Sequence, residues 1–190
     1  MPTYTIEVKA ELLNIAELRP VEDIMWIMDV ESEGGDVREG ITVDPSDCIE
    51  LDGSRGEANF VMKWSKQDSH QAYIKVVDLR GAITGSTAGG SKKKGKKAAG
   101  GSEAFDGVYR NPDEHEDWSA ILAIECRGLR PTKVHVGSRD FDAVSVKGTR
   151  FPADECEYEP DNEGLCWTDF DEKLDDCVCV NGLRARIVGL

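Results

Sequence analysis

The sequence predicts an all-β fold in which two related halves form a sandwich or barrel-like pair of sheets, with pseudo-twofold symmetry and little helix. Three observations lead to this class. Apolar and polar residues alternate with a period of two along much of the chain, helical periodicity is weak throughout, and one short motif occurs in both halves. Strands with one buried and one solvated face account for the alternation.

The first predicted strand shows this alternation clearly. Apolar residues occupy every second position from Tyr4 to Leu12, and most residues between them are charged. One face of this strand should therefore be buried in an antiparallel sheet. The same pattern predicts strands at residues 24–30, 58–64, 72–77, 118–126 and 132–136.

Two further predicted strands, at residues 177–180 and 183–188, flank the dipeptide Asn181-Gly182. Asn and Gly both tolerate the positive φ angles of a type I′ turn. We therefore expect a β-hairpin at the C-terminus of the chain.

A change of composition separates the two halves. Segment 81–103 is rich in Gly, Ala, Ser and Thr and holds five lysines from Lys92 to Lys97. Such a segment buries too little apolar surface to offset its ordering entropy. We predict a flexible loop there, between an N-terminal β half at 1–80 and a C-terminal β half at 104–190. The motif Leu-Arg-Pro follows a predicted strand in each half, starting at Leu18 and Leu129, which indicates a duplicated β unit.

The charge balance restricts the partners. The chain has 23 Lys and Arg against 37 Asp and Glu, a net charge of -14, which opposes attraction to nucleic acid and to anionic membranes. The first twenty residues contain no apolar run typical of a signal peptide. We expect a soluble cytoplasmic protein; the lysine cluster is either a nuclear-import signal or a solvated insertion.

Six cysteines are spread along the chain without CxxC spacing, so in a reducing compartment we expect free thiols. Cys177 and Cys179 should lie on the same face of a strand, near the distance limit for a disulfide. We expect them to face the core, and the alternative is a reactive or metal-binding pair.

Catalytic patterns are missing from the sequence. His115 lies in an acidic run from Asp113 to Asp117 that could gather a divalent cation, although a solvated loop is the commoner outcome. There is no Ser/His/Asp arrangement, Walker loop or dinucleotide fingerprint. We therefore expect a protein that is not an enzyme.

Five short motifs occur in one order along nearly the whole chain: LRPVED at 18–23, GSRGEANFVMK at 53–63, IECRGL at 124–129, GTRF at 148–151 and WTDFDEK at 167–173. In this order they resemble the eukaryotic CXXC-motif-containing zinc-binding protein family, a family of unknown function. The resemblance implies a small, mostly β protein of two related halves. It also implies one zinc ion held by two CxxC turns, the closed four-thiolate site of a structural zinc.

The chain departs from the family at those turns. The four positions that would carry the cysteines hold Ser32, Gly35, Trp64 and Gln67, which are poor zinc ligands or have no ligand atom. We therefore predict neither zinc nor another cofactor. We also hypothesise that the indole of Trp64 fills part of the space that the metal would occupy.

Two of the family motifs hold candidate contact residues for a protein partner. Arg55 and Glu57 could point to one side of a strand edge, and an acidic-aromatic segment carries Trp167, Asp169, Phe170 and Asp171. Either these residues fix turns and the contact between the halves, or they form an exposed surface with Trp167 or Phe170 as the anchor. The sequence thus favours a non-enzymatic protein-interaction module without zinc, and the alternative is a metal-binding or thiol-redox protein.

Overall fold

The computed structural model describes residues 1–85, 106–110 and 118–190 of the chain. Up to residue 85 the elements are β1 (Thr3–Leu13), β2 (Ile15–Pro20), β3 (Trp26–Glu31), β4 (Val37–Val43), β5 (Ile49–Glu50), β6 (Glu57–Ala58), β7 (Phe60–Met62), β8 (Ala72–Val77) and helix α1 (Leu79–Thr84). After residue 105 they are β9 (Tyr109–Arg110), β10 (Ser119–Arg127), β11 (Arg130–His135), β12 (Phe141–Ser145), β13 (Arg150–Phe151), β14 (Glu159–Asp161), β15 (Gly164–Asp171) and β16 (Asp176–Gly189). The predicted all-β class is confirmed.

Three sheets surround one hydrophobic core. The largest has seven strands in the order β14-β15-β16-β1-β10-β8-β7, and the others have the orders β13-β12-β2-β9 and β11-β3-β4, with a separate pair β5-β6. Each of the three larger sheets contributes fully buried side chains to the same cluster, including Ile6, Leu18 and Met28. Trp26 and Phe141, from the two smaller sheets, meet edge to face with ring centroids 6.4 Å apart. Apolar burial from three directions therefore joins the sheets.

The strand pairings repeat between the halves, as the predicted pseudo-twofold arrangement requires. β1 and β10 lie side by side at the centre of the large sheet, and β16 and β15 follow β1 as β8 and β7 follow β10. β2 pairs with β12, which pairs with β13; equivalently, β11 pairs with β3, which pairs with β4. Each small sheet thus contains a strand exchanged from the other half.

The Leu-Arg-Pro motifs lie at the points where the chain leaves the large sheet. Asn14, with a φ of 59°, separates β1 from β2, and Gly128, with a φ of 67°, follows β10 shortly before β11. Asn and Gly are the residues that most readily adopt this left-handed conformation. One such residue in each half turns the chain from the large sheet into a small one.

The predicted C-terminal hairpin is wrong, because β16 runs continuously through Asn181 and Gly182. Its partner β1 pairs Lys9 with Arg184 and then Glu11 with Asn181, so the extra residue on β16 forms a bulge. Gly182 has a φ of 61°, but Asn181 does not share it, and a type I′ turn needs positive φ at both positions. Pairing with β1 on one side and β15 on the other keeps the strand extended.

The first residues of the predicted flexible loop at 81–103 form the end of α1 instead, and residues 86–103 of that loop lie outside the described residues. The carboxylate of Asp78 caps this helix by accepting a hydrogen bond from the Gly81 amide at 2.6 Å, and Gly85 ends it with a φ of 68°. The lysine cluster and the acidic run around His115 lie outside the described residues. Among the residues that are described, no helix is long and apolar enough to cross a membrane.

Candidate functional site

The two turns that would carry the family's cysteines lie on opposite sides of one cleft. The first turn, residues 32–36, follows β3, and the second, residues 64–68, follows β7. Ser32, Trp64 and Gly128 are among the residues that line this cleft of about 520 Å³. The fold therefore brings together the two segments that the sequence singled out.

The first turn is held by the Ser32 side chain. Its Oγ accepts hydrogen bonds from the amides of Gly34 at 3.1 Å and Asp36 at 3.0 Å. The backbone closes the same turn, because Ser32 N donates to Asp36 O at 2.8 Å and Gly35 N donates to Ser32 O at 3.1 Å. Gly35 has a φ of 87°, which favours a residue without Cβ. Internal hydrogen bonds thus fix this turn.

The second turn is fixed by Asp68 and by the indole of Trp64. The Asp68 carboxylate accepts a hydrogen bond from Ser65 N at 2.7 Å. Trp64 Nε1 donates to Gly128 O at 2.8 Å, which ties the turn to the end of β10. The guanidinium of Arg38 lies 5.7 Å from the centroid of the indole, and its Nη2 donates to Lys63 O at 3.2 Å.

The indole fills only part of the space between the turns. Trp64 is half-buried and packs against the core cluster, yet the cleft of about 520 Å³ remains beside it. That Trp64 partly replaces the metal stays a prediction, and an open cleft remains between the two turns.

The residues at the four family positions do not fit a structural zinc ion. Such a site needs four donors, usually thiolate or imidazole. Here the hydroxyl of Ser32 already accepts two amide hydrogen bonds, Gly35 has no side chain, and the indole nitrogen of Trp64 is itself a donor. Gln67 is exposed and would offer only a neutral oxygen.

Most residues that line the cleft are polar or charged, with charges of both signs. Glu33, Asp36 and Asp68 contribute carboxylates, and Arg127 and His70 lie on the same lining. Across residues 1–85, 106–110 and 118–190, no group of three or more His, Cys, Asp and Glu is placed to hold a metal ion.

The second half contains an equivalent pair of turns, one after β12 and one after β15. Ser145 repeats the hydrogen bonds of Ser32: its Oγ accepts from Lys147 N at 3.2 Å and Thr149 N at 3.1 Å. Ser145 N donates to Thr149 O at 2.8 Å, and Gly148, with a φ of 77°, donates to Ser145 O at 2.9 Å. The turns that begin at Ser32 and Ser145 are thus the same structure in the two halves.

The strand register identifies Asp171 as the equivalent of Trp64. Leu13 and Arg127 are the last residues of β1 and β10 before the left-handed residue in each half, and they pair with Cys179 and Tyr73. The residues that precede Cys179 and Tyr73 are Val178 and Ala72. On the neighbouring strands β15 and β7 they pair with Asp169 and Met62, which are therefore equivalent. Two residues further along these outer strands stand Asp171 and Trp64.

Asp171 joins the two turns of the second half directly. Its Oδ2 accepts a hydrogen bond from Ser145 Oγ at 2.5 Å and its Oδ1 accepts from Thr149 Oγ1 at 2.9 Å. The side chain is 1% exposed. The hydroxyl of Ser145, followed by that of Thr149 and the amide of Lys173, lowers the pKa of this carboxyl, because these hydrogen bonds favour the charged form. In the second half, a carboxylate and two hydroxyls therefore connect the two turns. In the first half, the family pattern would use a metal to connect the equivalent turns.

The predicted interaction residues divide into two groups. Trp167 is 5% exposed and packs against the rings of Phe151 and Tyr158, with centroids 5.2 and 6.0 Å away. Trp167 is therefore too buried to be an exposed anchor. Like Asp171, it has the structural role that the sequence offered as the alternative. Phe170 is exposed on the opposite face of β15, as expected from the alternation along a strand.

Asp169 is exposed beside Phe170, and Arg55 and Glu57 are exposed around β6 in the other half. Among the described residues, no hydrogen bond or ion pair connects Arg55 or Glu57 to the segment around Phe170. β6 contacts β8 near one edge of the large sheet and β15 lies near the other edge, so the predicted candidates belong to two separate surfaces.

All six cysteines are free, but the orientation predicted for Cys177 and Cys179 is wrong. Val178 and Val180 are fully buried on the core face of β16, so the cysteines between and before them point outward. Cys177 is exposed and Cys179 is half-buried. In contrast, burial raises the pKa of the thiols of Cys126 and Cys156 to about 12, which keeps them protonated.

The network of Ser145, Thr149 and Asp171 was not predicted as a unit. A signal for it exists in the sequence, because a serine precedes a glycine by three residues in both Ser32-x-x-Gly35 and Ser145-x-x-Gly148. Recognising it requires the alignment of the two halves that the strand register supplies.

Comparisons with known proteins agree with this architecture. The family model for the eukaryotic CXXC motif containing zinc binding protein matches residues 5–188. The chain is 29% identical over 194 residues to the CXXC motif containing zinc binding protein of Homo sapiens, and 27% identical over 191 residues to that of Bos taurus, with 99% of each chain covered in both cases. It is 26% identical over 199 residues to UPF0587 protein F46B6.12 of Caenorhabditis elegans, covering 98% of this chain and 94% of the relative.

Two solved structures share the fold. A hypothetical protein from Plasmodium falciparum superposes with a TM-score of 0.69 at 21% identity, covering 99% of this chain and all of that chain. The crystal structure of C1orf123 superposes with a TM-score of 0.67 at 24% identity, covering 99% of each chain.

Fold and site together define a class of β protein in which two pseudo-symmetric halves exchange strands and two strand-end turns face each other across a cleft. The chain belongs to the eukaryotic family of CXXC motif containing zinc binding proteins. Within this family it is a divergent member, since Ser32, Gly35, Trp64 and Gln67 stand at the cysteine positions.

Proposed function

We propose that this protein acts as a non-enzymatic protein-interaction module and that it folds and functions without zinc. One observation carries the proposal: both turns at the family site are closed by side chains of the protein itself, through Ser32 in the first turn and through Asp68 and Trp64 in the second. These hydrogen bonds support the proposal because they are internal restraints on both turns.

Metal analysis combined with thermal unfolding tests the absence of zinc. We expect less than stoichiometric zinc in the purified protein and the same unfolding midpoint with EDTA and with added zinc, because a metal that binds only the folded state would raise that midpoint. The Homo sapiens relative, whose name describes zinc binding, is the positive control when prepared in parallel. One tightly bound zinc per chain would refute this part of the proposal.

The interaction role is supported by exposed Phe170, Arg55 and Glu57 and by the open clefts found among the described residues. Crosslinking in cells followed by affinity purification tests it. We expect a defined partner that is recovered in near-stoichiometric amount and that reforms the complex from purified components. Failure of every recovered protein to rebind in purified form would count against the role.

The second candidate function is thiol-redox or metal chemistry at Cys177 and Cys179. The observation that favours it is that both side chains lie on the outer face of β16. The Cys179 thiol lies 3.1 Å from Asn181 Oδ1 and 3.3 Å from Thr168 Oγ1. Titration of native thiols separates the two candidates, since a redox pair should react much faster than exposed Cys48 and form a reversible disulfide.

We place the protein in the cytoplasm, with the nucleus as the alternative. Six unpaired cysteines are compatible with a reducing compartment. Fluorescence microscopy of the full chain, compared with a chain lacking residues 91–101, tests whether the lysine cluster directs nuclear import. A secreted, disulfide-linked product would contradict the assignment.

A further inference from the structure

Four side chains with little polarity form an exposed surface beside the two turns of the second half, which follow β12 and β15. Leu13, Val146 and Phe170 are 56%, 54% and 48% exposed, and the thiol of Cys177 is exposed beside them. We call this surface the end patch. Single exposed apolar residues are normal, but a contiguous group on one surface marks a contact site.

The strand pairings make the end patch contiguous. On β16, Cys179 lies opposite Leu13 of β1 and Cys177 lies opposite Phe170 of β15. Residues directly opposite each other on paired strands share one face of the sheet. Cys177 and Cys179 also share this face because they are two residues apart on one strand. Val146 joins from the turn after β12, where its amide donates to Asn14 O at 3.0 Å.

The first half provides an internal comparison, because the register assigns an equivalent to each residue of the end patch. In the order Leu13, Val146, Phe170 and Cys177, the equivalent residues are Arg127, Glu33, Lys63 and Gln71. All four are polar, and the first three are exposed. The same positions of the fold thus hold polar residues in the first half, so the apolar character of the end patch is not a general requirement of this fold.

The rim of the end patch is acidic. Its exposed carboxylates outnumber the two nearby lysines, Lys147 and Lys173, and belong to Glu172, Asp175 and Asp176. None of these carboxylates has an ion-pair partner among the described residues. An apolar centre with an acidic rim is complementary to a segment in which Lys or Arg flanks apolar side chains.

We propose that the end patch docks such a basic-apolar segment of a protein partner, with Phe170 and Leu13 as apolar anchors and the rim carboxylates as counter-charges. The inference rests on the proposed interaction function and assigns it a surface and a partner chemistry. A second copy of this chain is a poor occupant, since each copy has a net charge of -14 and two acidic rims repel each other.

A phage-displayed library of random peptides, selected on the full-length protein, tests the proposal. We expect enriched peptides to combine apolar residues with Lys or Arg, and their binding to weaken as salt rises. Synthetic copies of these peptides are then titrated against a variant that carries the polar residues of the equivalent first-half positions: Leu13→Arg, Val146→Glu and Phe170→Lys. Binding should fall by about tenfold or more, as expected when anchors are lost.

Val37→Lys is the matched control, because Val37 is 59% exposed on β4, away from the end patch. It should leave peptide binding unchanged. A circular dichroism melt confirms that each variant is folded, and the single variant Phe170→Ser repeats the test if the triple variant unfolds.

The possible outcomes separate the two proposals. Peptides that bind equally well to the wild type and the end-patch variant would refute the end patch but support an interaction function elsewhere. Enrichment of acidic or purely polar peptides on the patch would refute the partner chemistry. No enriched peptide at all would count against both proposals, and concentration-dependent dimerisation abolished by the triple variant would assign the patch to a second copy.

Discussion

At the scale of single residues, Asp171 and Trp64 hold equivalent strand-end turns in two different ways. Each stands at the same position of its half, where an outer strand of the large sheet ends beside a serine turn. Asp171 connects its two turns through the hydroxyls of Ser145 and Thr149. Trp64 instead donates a hydrogen bond to Gly128 O, and a cleft remains between the two turns of its half.

Replacing Asp171 by Asn should destabilise the protein at neutral pH, with the unfolding midpoint lowered by roughly 3 to 8 °C. The pKa of Asp171 is lowered in the fold, so its carboxylate stabilises the fold above the unfolded pKa of about 3.9. That contribution is lost as the pH falls through the lower, folded pKa. The difference between wild type and variant should therefore shrink in acid.

Thermal melts between neutral and acidic pH measure this effect, with Asp169→Asn as the matched control. Asp169 is the exposed neighbour on the same strand, so its replacement should change the midpoint little at any pH. An unfolding difference for Asp171→Asn that does not depend on pH would contradict the carboxylate's role.

Replacing Trp64 tests the tie between the second turn and β10. Trp64→Phe keeps a ring but removes the hydrogen bond to Gly128 O, which should cost about 1 kcal/mol in the free energy of unfolding. Trp64→Ser also removes the ring and should cost about 2 to 3 kcal/mol, below the range for a fully buried tryptophan. Urea unfolding gives both values, and equal stability of all three proteins would show that the indole has no structural part.

At the scale of elements, two glycines allow β15 and β16 to pair through the bulge. A Cβ on Gly164, whose φ is 150°, would lie 2.6 Å from Leu183 O, whereas the nearest atom to a Cβ on Gly182 is 3.6 Å away. Gly164→Ala should therefore cost about 2 to 4 kcal/mol by steric overlap. Gly182→Ala should cost about 1 kcal/mol because of its left-handed φ alone.

Urea unfolding of both variants measures this order, with Gly34→Ala as the control. Gly34 has no positive φ, and its Cβ would make only ordinary contacts, with Ser32 Oγ at 3.5 Å and Asp36 Oδ2 at 4.0 Å. A larger cost for Gly182→Ala than for Gly164→Ala would mean that the bulge is held differently.

The sequence predicted most strands because their burial follows the alternation of residues. β8 is found at the predicted residues 72–77, and β1 buries Ile6, Val8 and Ala10 as expected. It failed at Asn181-Gly182, where local turn preference favoured a hairpin but pairing with β1 and β15 imposed a continuous, bulged strand. It also failed at Cys177 and Cys179, because Val178 and Val180 are the more apolar alternatives for the core face.

At the scale of the whole molecule, strand exchange makes the halves interdependent. β2 needs β12 as its partner, and β3 needs β11, so neither half can complete its sheets alone. We expect residues 1–85 and residues 104–190, expressed separately, to lack cooperative thermal unfolding, and their co-expression to restore it. Calorimetry and circular dichroism measure this; a cooperatively folded isolated half would contradict the interdependence.

The sequence by itself determined the all-β class, the duplicated motif, the family membership and the loss of the four cysteines, because these depend on residue identity and local periodicity. Only the tertiary structure decided that the two turns without the family cysteines line one cleft, that Asp171 is the counterpart of Trp64, and that Trp167 is buried while Leu13, Val146 and Phe170 are exposed. Each of these depends on strand register and exchange between residues far apart in the chain, and long-range pairing leaves no local signature in the sequence.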